Sequence, residues 1–360
     1  MRDAAFVGGP EVEAFEREFA TYCQTTGVAA VGSGTDALRF AYLAMGIRPG
    51  DEVITVANTF IATTEALTQA GAQIRFVDVL PGTLLMDPAR LAEAVGPRTV
   101  GIVPVHLFGM PAEMDAIEAI ARKHHLWVVE DAAQAHGAEY RGRRCGSMGA
   151  AAAFSFYPGK NLGACGEAGA LTSNDVATLD LARRLRDHGQ TEKYHHESEG
   201  YNGRMDALQA AWLRVKLRDL DARNERRRQA ARRYRERLRA VPDVGMLEWP
   251  DHVSPVYHLF VVRVPKRAAV QQHLSDRGIG TGLHYPLPLH LQRAYRQMGL
   301  SRGAFPVTEA AAEEILSLPM FPELTDEQVD CVADALVDFF LGKRPRSVPP
   351  TPRALGERVP

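Results

Sequence analysis

Residues 100–131, VGIVPVHLFGMPAEMDAIEAIARKHHLWVVED, contain two short apolar runs separated by a helical pattern. The runs VGIVPV and LWVVE are rich in the β-branched and aromatic residues that favour strands. Between them, apolar residues recur at helical spacing and predict a helix over residues 112–125 (Met114, Ile117 and Ile120). A strand, a helix and a second strand in this order predict two parallel strands joined by a crossover helix.

Two further runs of the same kind precede this unit, so the first half of the chain alternates short strands with helices. Parallel sheets of this type are covered by helices on both faces and bind ligands beyond the carboxyl ends of their strands. We therefore predict an α/β fold with a large, mostly parallel sheet and a site at that edge. The predicted strands span residues 52–57, 73–79, 100–105 and 126–130.

Composition and charge argue against several classes of protein. The chain has 360 residues, of which 46% are hydrophobic and 24% are charged, as in ordinary globular proteins. Its formal net charge of −2 provides no field that would attract nucleic acid, and no apolar stretch approaches the ~20 residues that span a bilayer. The four cysteines lack CxxC spacing, and the two pairs of adjacent histidines lack metal-ligand spacing. We predict a cytoplasmic protein that binds no metal, nucleic acid or membrane.

The second half opens with a long helical pattern from Asp206 that continues into a segment with eight arginines, residues 226–239. That segment lacks the interleaved aromatic residues of nucleic-acid readers, which favours a solvated helix face bridging two domains over an RNA-binding arm. An alternating strand at residues 258–264 and a helix–loop segment ending near Leu341 predict a smaller α+β domain. The predicted division is a large domain, a small domain and a disordered Pro/Arg-rich tail, residues 1–205, 206–341 and 342–360.

The segment FSFYPGKNLGACGEAG, residues 154–169, places Lys160 among four glycines. A lysine amine becomes reactive when its charge is removed, as happens in a Schiff base with an aldehyde cofactor. Taken alone, a lysine in such a loop also fits a structural or phosphate-binding role.

Three side chains beyond predicted strand ends suit a flat aromatic cofactor. Asp131 follows the strand at residues 126–130, where its carboxylate could keep a pyridine nitrogen protonated or could cap a helix. Gln134 could reach a phenolic oxygen of the same ring. Phe60, in ANTFIATT, could stack on the ring or pack in the core.

The segment VGSGTDA, residues 31–37, precedes a helix predicted over residues 36–45. The free N–H groups at such a helix start form a phosphate cradle. The segment also matches a relaxed GxGxxA dinucleotide fingerprint, although residues 27–31 are too short and small for the first strand of a full Rossmann unit.

Six motifs follow one another along the chain: VGSGTDAL, NTFIAT, VVEDAAQAHGAEYRG, FSFYPGKNLGACGEAGA, HGQTEKYHHESEGYNGRMDALQAA and GLHYPLPLHLQRAY. With these motifs in this order, the chain resembles the DegT/DnrJ/EryC1/StrS family of sugar aminotransferases, which have PLP fold type I, from about Gly8 to Leu341. The resemblance implies pyridoxal 5′-phosphate (PLP) as cofactor, a large sheet domain with a smaller α+β domain, and a homodimer with shared active sites. It also implies a keto nucleotide sugar as amino acceptor and glutamate as the usual donor.

The resemblance also assigns roles position by position. Lys160 would carry the cofactor as a Schiff base and move the proton, while Asp131 and Gln134 would contact the ring nitrogen and the ring hydroxyl. The last motif, residues 282–295, resembles most the branch that transaminates 3-keto-6-deoxy sugars. The remaining assignments are Gly34, Thr35 and Ser155 at the phosphate, Phe60 stacked on the ring, Asn202 at the phosphate of the neighbouring subunit, and Tyr157, His284 and Tyr285 facing the sugar.

Three other functions remain open at this point. A keto-cyclitol aminotransferase would keep every cofactor residue and differ only in the sugar-facing segment. An NAD-dependent sugar oxidoreductase would use VGSGTDA for pyrophosphate and would have no need for Lys160. A PLP-binding regulator without catalytic activity would have no need for the proton-transfer groups.

Overall fold

A computed structural model describes residues 6–342 of the chain. The tail predicted at residues 342–360 lies, apart from Gly342, outside the described residues. The helices are α1 Pro10–Cys23, α2 Gly34–Ala44, α3 Ala62–Gln69, α4 Pro88–Ala94, α5 Met114–His124, α6 Val176–Leu185, α7 Ala207–Leu217, α8 Leu220–Leu238, α9 Arg267–Ser275, α10 Pro306–Glu314 and α11 Asp326–Leu341. The strands are β1 Gly27–Val31, β2 Glu52–Val56, β3 Gln73–Val77, β4 Thr99–Ile102, β5 Trp127–Asp131, β6 Glu139–Tyr140, β7 Arg143–Arg144, β8 Ala151–Ser155, β9 Gly169–Ser173, β10 Gln190–Glu192, β11 His195–His196, β12 Gly245–Met246, β13 Val253–Ser254, β14 Phe260–Arg263 and β15 Ile315–Leu318.

A seven-stranded sheet forms the centre of the large domain, with the order β1-β9-β8-β5-β4-β2-β3. Parallel pairing joins β3, β2, β4, β5 and β8, whereas β9 pairs antiparallel with both β8 and β1. Six strands therefore run in one direction and β9 runs in the other. This confirms the predicted mostly parallel sheet, and α5 confirms the crossover helix between β4 and β5.

Both faces of the sheet are covered by helices, because alternate residues of its strands point to opposite cores. On one face Val129 of β5 and Ala153 of β8 pack with α2, α3 and α6. On the other face Phe154 of β8 packs with α1 and α7, and Val128 of β5 packs with α5. The site at the carboxyl edge is thus supported from both sides.

The edge position of β1 weakens the dinucleotide interpretation of VGSGTDA. In a Rossmann unit the first strand is central and parallel to its neighbours. Here β1 lies at the end of the sheet and pairs antiparallel with β9. The segment after β1 therefore lacks the βαβ context that a dinucleotide fingerprint requires.

The smaller domain contains the antiparallel sheet β12-β14-β15, which packs with α8, α9 and α11 in a separate hydrophobic core. The strand predicted at residues 258–264 is the shorter β14. The division after residue 205 stays a prediction. Within residues 6–342 no helix combines the length and the apolar character needed to cross a bilayer.

The single long helix predicted from Asp206 is wrong, because the pattern forms two helices with a break at Arg218 and Asp219. α7 packs against α1 beside the large sheet, whereas α8 packs against α11 in the small domain. One straight helix could not serve both cores.

The arginines of α8 are largely engaged within the protein. Arg227 is buried and donates to the carbonyl oxygens of Tyr257, His258 and Met320. Arg233 forms ion pairs with Asp326 and Asp330 of α11. These contacts favour the bridging interpretation of the basic segment over a nucleic-acid arm.

Candidate active site

Residues from four strands meet at the carboxyl edge of the large sheet. All of them were candidates from the sequence, and the topology brings them together because six strands end at the same edge. They are Gly34 and Thr35 after β1, Phe60 after β2, Asp131 at the end of β5, and Ser155, Tyr157 and Lys160 at and after β8.

Asp131 is the last residue of β5, and both oxygens of its buried carboxylate accept hydrogen bonds. Oδ2 accepts from the hydroxyl of Thr63 at 2.7 Å, and Oδ1 accepts from the backbone N–H of Ala133 at 3.2 Å. Burial raises the pKa of Asp131, while these two donors and the charge of Lys160 oppose the rise. The carboxylate is therefore fixed in orientation and suited to a cationic partner.

Lys160 lies in the loop between β8 and β9. Its backbone N–H donates to the carbonyl oxygen of Tyr157 at 2.8 Å, and Ala164 closes the loop by donating to Phe156 at 2.7 Å. Burial lowers the pKa of the Lys160 amine to about 8, and the negative charge of Asp131 limits that drop. A substantial fraction of this amine is therefore neutral near pH 8 and can act as a nucleophile or a base.

The start of α2 and the end of β8 form a cradle for an anion. The hydroxyl of Ser33 accepts from the N–H of Asp36, which leaves the N–H groups of Gly34 and Thr35, at the positive end of α2, available for a ligand. A side chain at Gly34 would place its Cβ 2.6 Å from the Cβ of Ser155. Glycine is required there because the two backbones approach so closely.

Gly169, the first residue of β9, completes this close packing. A Cβ at Gly169 would lie 2.2 Å from the carbonyl oxygen of Ser33. β9 runs between β1 and β8, so this contact sets the separation of Gly34 and Ser155. The antiparallel strand thus positions the cradle.

Gln134 joins the end of β5 to the segment that was predicted to face the sugar. Its Oε1 accepts from the backbone N–H of Phe108 at 2.6 Å, and its Nε2 lies 3.4 Å from the hydroxyl of Tyr285. Burial raises the pKa of Tyr285, so the phenol stays protonated near neutral pH. The structure therefore places Gln134 and Tyr285 at the same edge.

His284 and Phe60 flank Tyr285. The ring of Phe60 lies 5.6 Å from that of Tyr285 at 39°, and the Nδ1 of His284 lies 2.8 Å from the hydroxyl of Ser317. Burial and the charge of Lys160 lower the pKa of His284, which favours a neutral imidazole. Phe60 is 54% exposed, so its ring is available to contact a ligand.

Asn202 lies on the exposed edge of the sheet beyond β1. Its Oδ1 accepts from Arg204 at 2.6 Å, and its backbone pairs with Asp187. Arg204 in turn pairs with Val31 at the end of β1. The predicted contact between Asn202 and a neighbouring subunit stays a prediction.

Thr63, Asn161 and His258 belong to this region although they were not among the candidates from the sequence. Thr63 bonds to Asp131, and Asn161 follows Lys160 and lies 3.2 Å from His258 through the atoms Oδ1 and Nδ1. The only signals in the sequence are the run of hydroxyl residues in ANTFIATT and the adjacency of Asn161 to Lys160. His258 carries no such signal because it comes from a distant segment.

A second buried cluster contains His106, Glu130 and Cys145, whose possible ligand atoms lie within 4.8 Å of one another. Glu130 accepts from the Nε2 of His106 and from the backbone N–H groups of Gly146, Met148 and Gly149. The Nδ1 of His106 accepts from Ala112. These bonds use the carboxylate and both ring nitrogens, so the cluster serves to pack the loop after β7.

The edge fits a cofactor with a phosphate, an aldehyde and a flat ring that contains a basic nitrogen. The close approach of Gly34 to Ser155 beside free N–H groups suits the phosphate, and the buried carboxylate of Asp131 suits a protonated ring nitrogen. The Lys160 amine, with its lowered pKa, suits the aldehyde. Together these groups match PLP.

Comparison with known proteins extends this picture to the whole chain. A sequence profile described as the DegT/DnrJ/EryC1/StrS aminotransferase family matches residues 1–337. The dTDP-3-amino-3,4,6-trideoxy-alpha-D-glucose transaminase of Streptomyces venezuelae is 45% identical over 331 residues, which are 92% of this chain and 87% of that protein. A UDP-N-acetyl-3-dehydro-alpha-D-glucosamine 3-aminotransferase of Acidithiobacillus ferrooxidans is 42% identical over 336 residues, with 93% and 90% covered.

A solved structure shares the fold. The crystal structure of S. venezuelae DesV in complex with a ketimine intermediate superposes with a TM-score of 0.92 at 44% identity. The match covers 94% of this chain and 91% of that one. It confirms the predicted α/β architecture of a large sheet domain with a smaller α+β domain.

Proposed function

The chain belongs to the DegT/DnrJ/EryC1/StrS aminotransferase family, and on that basis we propose that it aminates C3 of a nucleotide-linked keto sugar. Glutamate is the proposed amino donor, and a 6-deoxy sugar is the proposed acceptor. Two copies of the chain are proposed to share their active sites.

Members of this family depend on PLP, which confirms the predicted cofactor and the predicted enzyme class. PLP supplies an aldehyde and an electron-withdrawing ring, which together allow an amino group to leave one molecule and enter another. The two relatives are named for a dTDP-linked 3-amino sugar and for a UDP-linked 3-dehydro sugar, and these names support a nucleotide sugar as acceptor. An NAD-dependent oxidoreductase is accordingly set aside.

Each of this chain's own groups has a distinct task in the proposed reaction. Lys160 would hold the cofactor through its amine, and the same amine, when neutral, would accept and return a proton at the reacting carbon. The carboxylate of Asp131 keeps the proton on the ring nitrogen. The cradle of Gly34, Thr35 and Ser155 would bind the phosphate and so hold the cofactor in a fixed orientation relative to Lys160 and Asp131.

One observation carries the proposal. Lys160, Asp131 and the cradle for an anion lie together at one edge of the sheet, beside Tyr285 and His284. A phenol and a neutral imidazole offer hydrogen bonds to the hydroxyl groups of a sugar. The Nε2 of Gln134, which follows β5, lies 3.4 Å from the hydroxyl of Tyr285 and so connects Tyr285 to the carboxyl edge of the sheet. A sugar lying against these two side chains could present its C3 carbonyl to the amine.

The exposed face of α7 supports the proposed homodimer. Leu208, Trp212 and Val215 recur at helical spacing and are 65%, 47% and 62% exposed. The indole of Trp212 and the amine of Lys216 both donate to the carbonyl oxygen of Gly163, in the loop that carries Lys160. A second copy seated on this face would therefore lie directly beside the active site.

Assays with a panel of keto-sugar nucleotides and keto-cyclitols, with glutamate as donor, test the proposed function. We expect turnover of a 3-keto-6-deoxy nucleotide sugar, with mass spectrometry and NMR placing nitrogen at C3. An amine at C4 with 3-keto sugars inert would overturn the regiochemistry. Turnover of keto-cyclitols alone would establish the alternative acceptor, and replacement of glutamate by glutamine or alanine tests the donor.

A further inference from the structure

A chain of side-chain hydrogen bonds runs beside Lys160. Asn161 donates from Nδ2 to the Oδ1 of Asn224 and to the carbonyl oxygen of Val256, both at 2.9 Å. Asn224, on α8, donates from Nδ2 to the carbonyl oxygen of His136 at 2.8 Å. At the other end, the Oδ1 of Asn161 lies 3.2 Å from the Nδ1 of His258.

The ends of this network determine the direction of every bond in it. The carbonyl oxygens of His136 and Val256 can only accept, so the Nδ2 atoms of Asn224 and Asn161 must face them. Both hydrogens of the Asn161 amide are then used, and its Oδ1 must accept. The Nδ1 of His258 therefore carries a proton, and in a neutral ring the Nε2 then carries a lone pair.

The surroundings keep His258 neutral. Burial lowers its pKa, and the positive charges of Lys160 and Arg227 lower it further, with smaller effects from His136 and His284. A neutral ring with its proton on Nδ1 is the form that the bond to Asn161 needs. The tautomer required by the hydrogen bonds and the neutral charge favoured by burial therefore agree.

The network joins four separate segments of the chain, and two of them carry Lys160 and Asp131, whose relative positions matter for the chemistry. Asn161 follows Lys160 directly, and His136 lies in the second of two consecutive turns that follow Asp131. Asn161 and Asn224 are only 6% and 1% exposed, so water does not compete for these bonds. His258 and Val256 lie on the segment that leads into β14 of the small domain.

We propose that His258 and Asn161 are positioning residues that fix the Lys160 loop relative to the Asp131 turn and thereby set the path along which the Lys160 amine moves a proton. Reacting groups must be held within a fraction of an ångström, and a displacement of ~1 Å costs ~100-fold in rate. This inference rests on the transamination chemistry of the family and is independent of which sugar is the acceptor.

Two substitutions of His258 separate this role from simple packing. Asparagine places an amide nitrogen near the position of Nδ1 and can still donate to Asn161, whereas glutamine places its amide near the position of Nε2 and cannot. We expect His258→Gln to lower kcat by ~10–100-fold with KM changed less than ~3-fold, and His258→Asn to stay within ~3-fold of the wild type.

Two readouts report on Lys160 itself. The first is the isotope effect with an amino donor deuterated at the carbon that loses its proton, which should grow in His258→Gln and stay at the wild-type value in His258→Asn. The second is the pH titration of the visible absorbance of the holoenzyme without substrates. Its midpoint should move by more than ~0.5 pH unit in His258→Gln only.

The titration needs no substrate, so it still tests the network if the proposed sugar or donor is wrong. The titratable groups that interact with the charge of Lys160 are Asp131, His136, His258 and His284, and only His258 is changed. Equal behaviour of the two His258 variants in both readouts would overturn the proposal. Should His258→Gln fail to fold, Asn224→Ser cuts the network away from the cofactor, and an unchanged isotope effect in that variant would overturn it as well.

Discussion

The hydroxyl of Thr63 donates a 2.7 Å hydrogen bond to the Oδ2 of Asp131, so a residue of α3 orients the carboxylate at the end of β5. The same hydroxyl lies 2.8 Å from that of Thr59. A hydrogen bond to a charged group contributes ~1.5–3 kcal/mol. Thr63 thus holds Asp131 toward the ring nitrogen that it is proposed to contact.

Replacing Thr63 by valine should weaken the function of Asp131 without changing the shape of the site. We expect Thr63→Val to lower kcat by about tenfold and to increase the dissociation constant of PLP, because one carboxylate oxygen loses its donor. Steady-state kinetics and titration of the apoenzyme with PLP measure both effects. Thr68→Val, at an exposed position of the same helix, is the matched control, and equal behaviour of the two variants would contradict the assignment.

The lowered pKa of Lys160 predicts how the apoenzyme recovers PLP. Only the neutral amine attacks the aldehyde, so the rate of covalent attachment should rise with pH to a plateau with a midpoint of about 8. In Asp131→Asn the midpoint should be lower, because the negative charge of Asp131 favours the charged amine. Stopped-flow absorbance over a pH series measures both midpoints, and a wild-type midpoint near 10.5, the ordinary lysine value, would contradict the site geometry.

The identity of the lysine is tested separately by borohydride reduction and peptide mapping. We expect the reduced cofactor on the peptide that contains Lys160, and Lys160→Ala should neither retain the label nor turn over substrate. A label on Lys193 or Lys216 would show that the assignment is wrong.

Glu130 should stabilise the fold in a pH-dependent way. Burial alone would raise its pKa, but the hydrogen bonds from His106 and from backbone N–H groups outweigh burial and lower the pKa. A lowered pKa means that this stabilisation is present above the pKa of the unfolded state, near 4.5, and is lost as pH falls through the folded-state pKa. The contribution should therefore be fully present at neutral pH.

Urea unfolding of Glu130→Gln measures this contribution. At pH ~7 we expect a loss of ~3 kcal/mol, because the amide NH₂ would face backbone N–H donors, and a smaller loss at pH ~4. Glu93→Gln, at an exposed position of α4, should change stability by less than ~0.5 kcal/mol at either pH. If Glu130→Gln lost the same free energy of unfolding at both pH values, the proposed dependence of stability on the ionisation of Glu130 would be wrong.

Mixing inactive variants tests the shared sites of the proposed homodimer. If Asn202 acts at the partner's phosphate, a heterodimer of Lys160→Ala and Asn202→Ala chains has one intact site and one site with both lesions. Activity should then return to ~25% of the wild type after random exchange, since half of the dimers are mixed and each has one of two sites. The test requires that Asn202→Ala be inactive by itself, and no recovery despite subunit exchange would argue for a site within one chain.

The dimer surface itself is tested by Leu208→Asp on α7. A charge in an apolar interface should favour the monomer, which sedimentation velocity detects. Val176→Asp on α6 is the matched control, because Val176 is 56% exposed and lies on a different helix. A shift toward monomer in the control alone would place the interface elsewhere.

His284 should affect the sugar half-reaction and leave the cofactor unchanged. Asparagine can keep the contact of Nδ1 with Ser317 while it removes the Nε2 side of the ring. We expect His284→Asn to lower kcat/KM for the keto sugar by about tenfold, with the visible spectrum and the half-reaction with glutamate within ~3-fold of the wild type. Equal losses in both half-reactions would contradict a role in sugar binding.

Local sequence patterns alone are enough to locate the sheet edge at which the site lies. Apolar runs that alternate with helical patterns favour a parallel sheet whose strands end at one edge, so the sequence places Asp131 at the ligand-binding edge. Lys160 follows β8, which was not among the strands predicted from the sequence, and its place beside Asp131 was implied by the family resemblance. The strands, the helices and their shared edge follow from the spacing of apolar residues over a few positions, and local sequence encodes that spacing. The family resemblance added the roles of residues such as Asn202 and His284, which spacing alone does not indicate.

The side chains that hold those groups in place are apparent only in the folded chain. Thr63 and Asp131 are 68 positions apart, and Asn161 and His258 are 97 apart, so their bonds depend on how distant segments pack. The break between α7 and α8 also results from tertiary packing, because the two helices pack in different hydrophobic cores. No Gly or Pro at the junction indicates the break in the sequence. Local propensity cannot encode such contacts. The residues next to each partner in the sequence are compatible with many tertiary contacts, and only the order of strands in the sheet selects one of them.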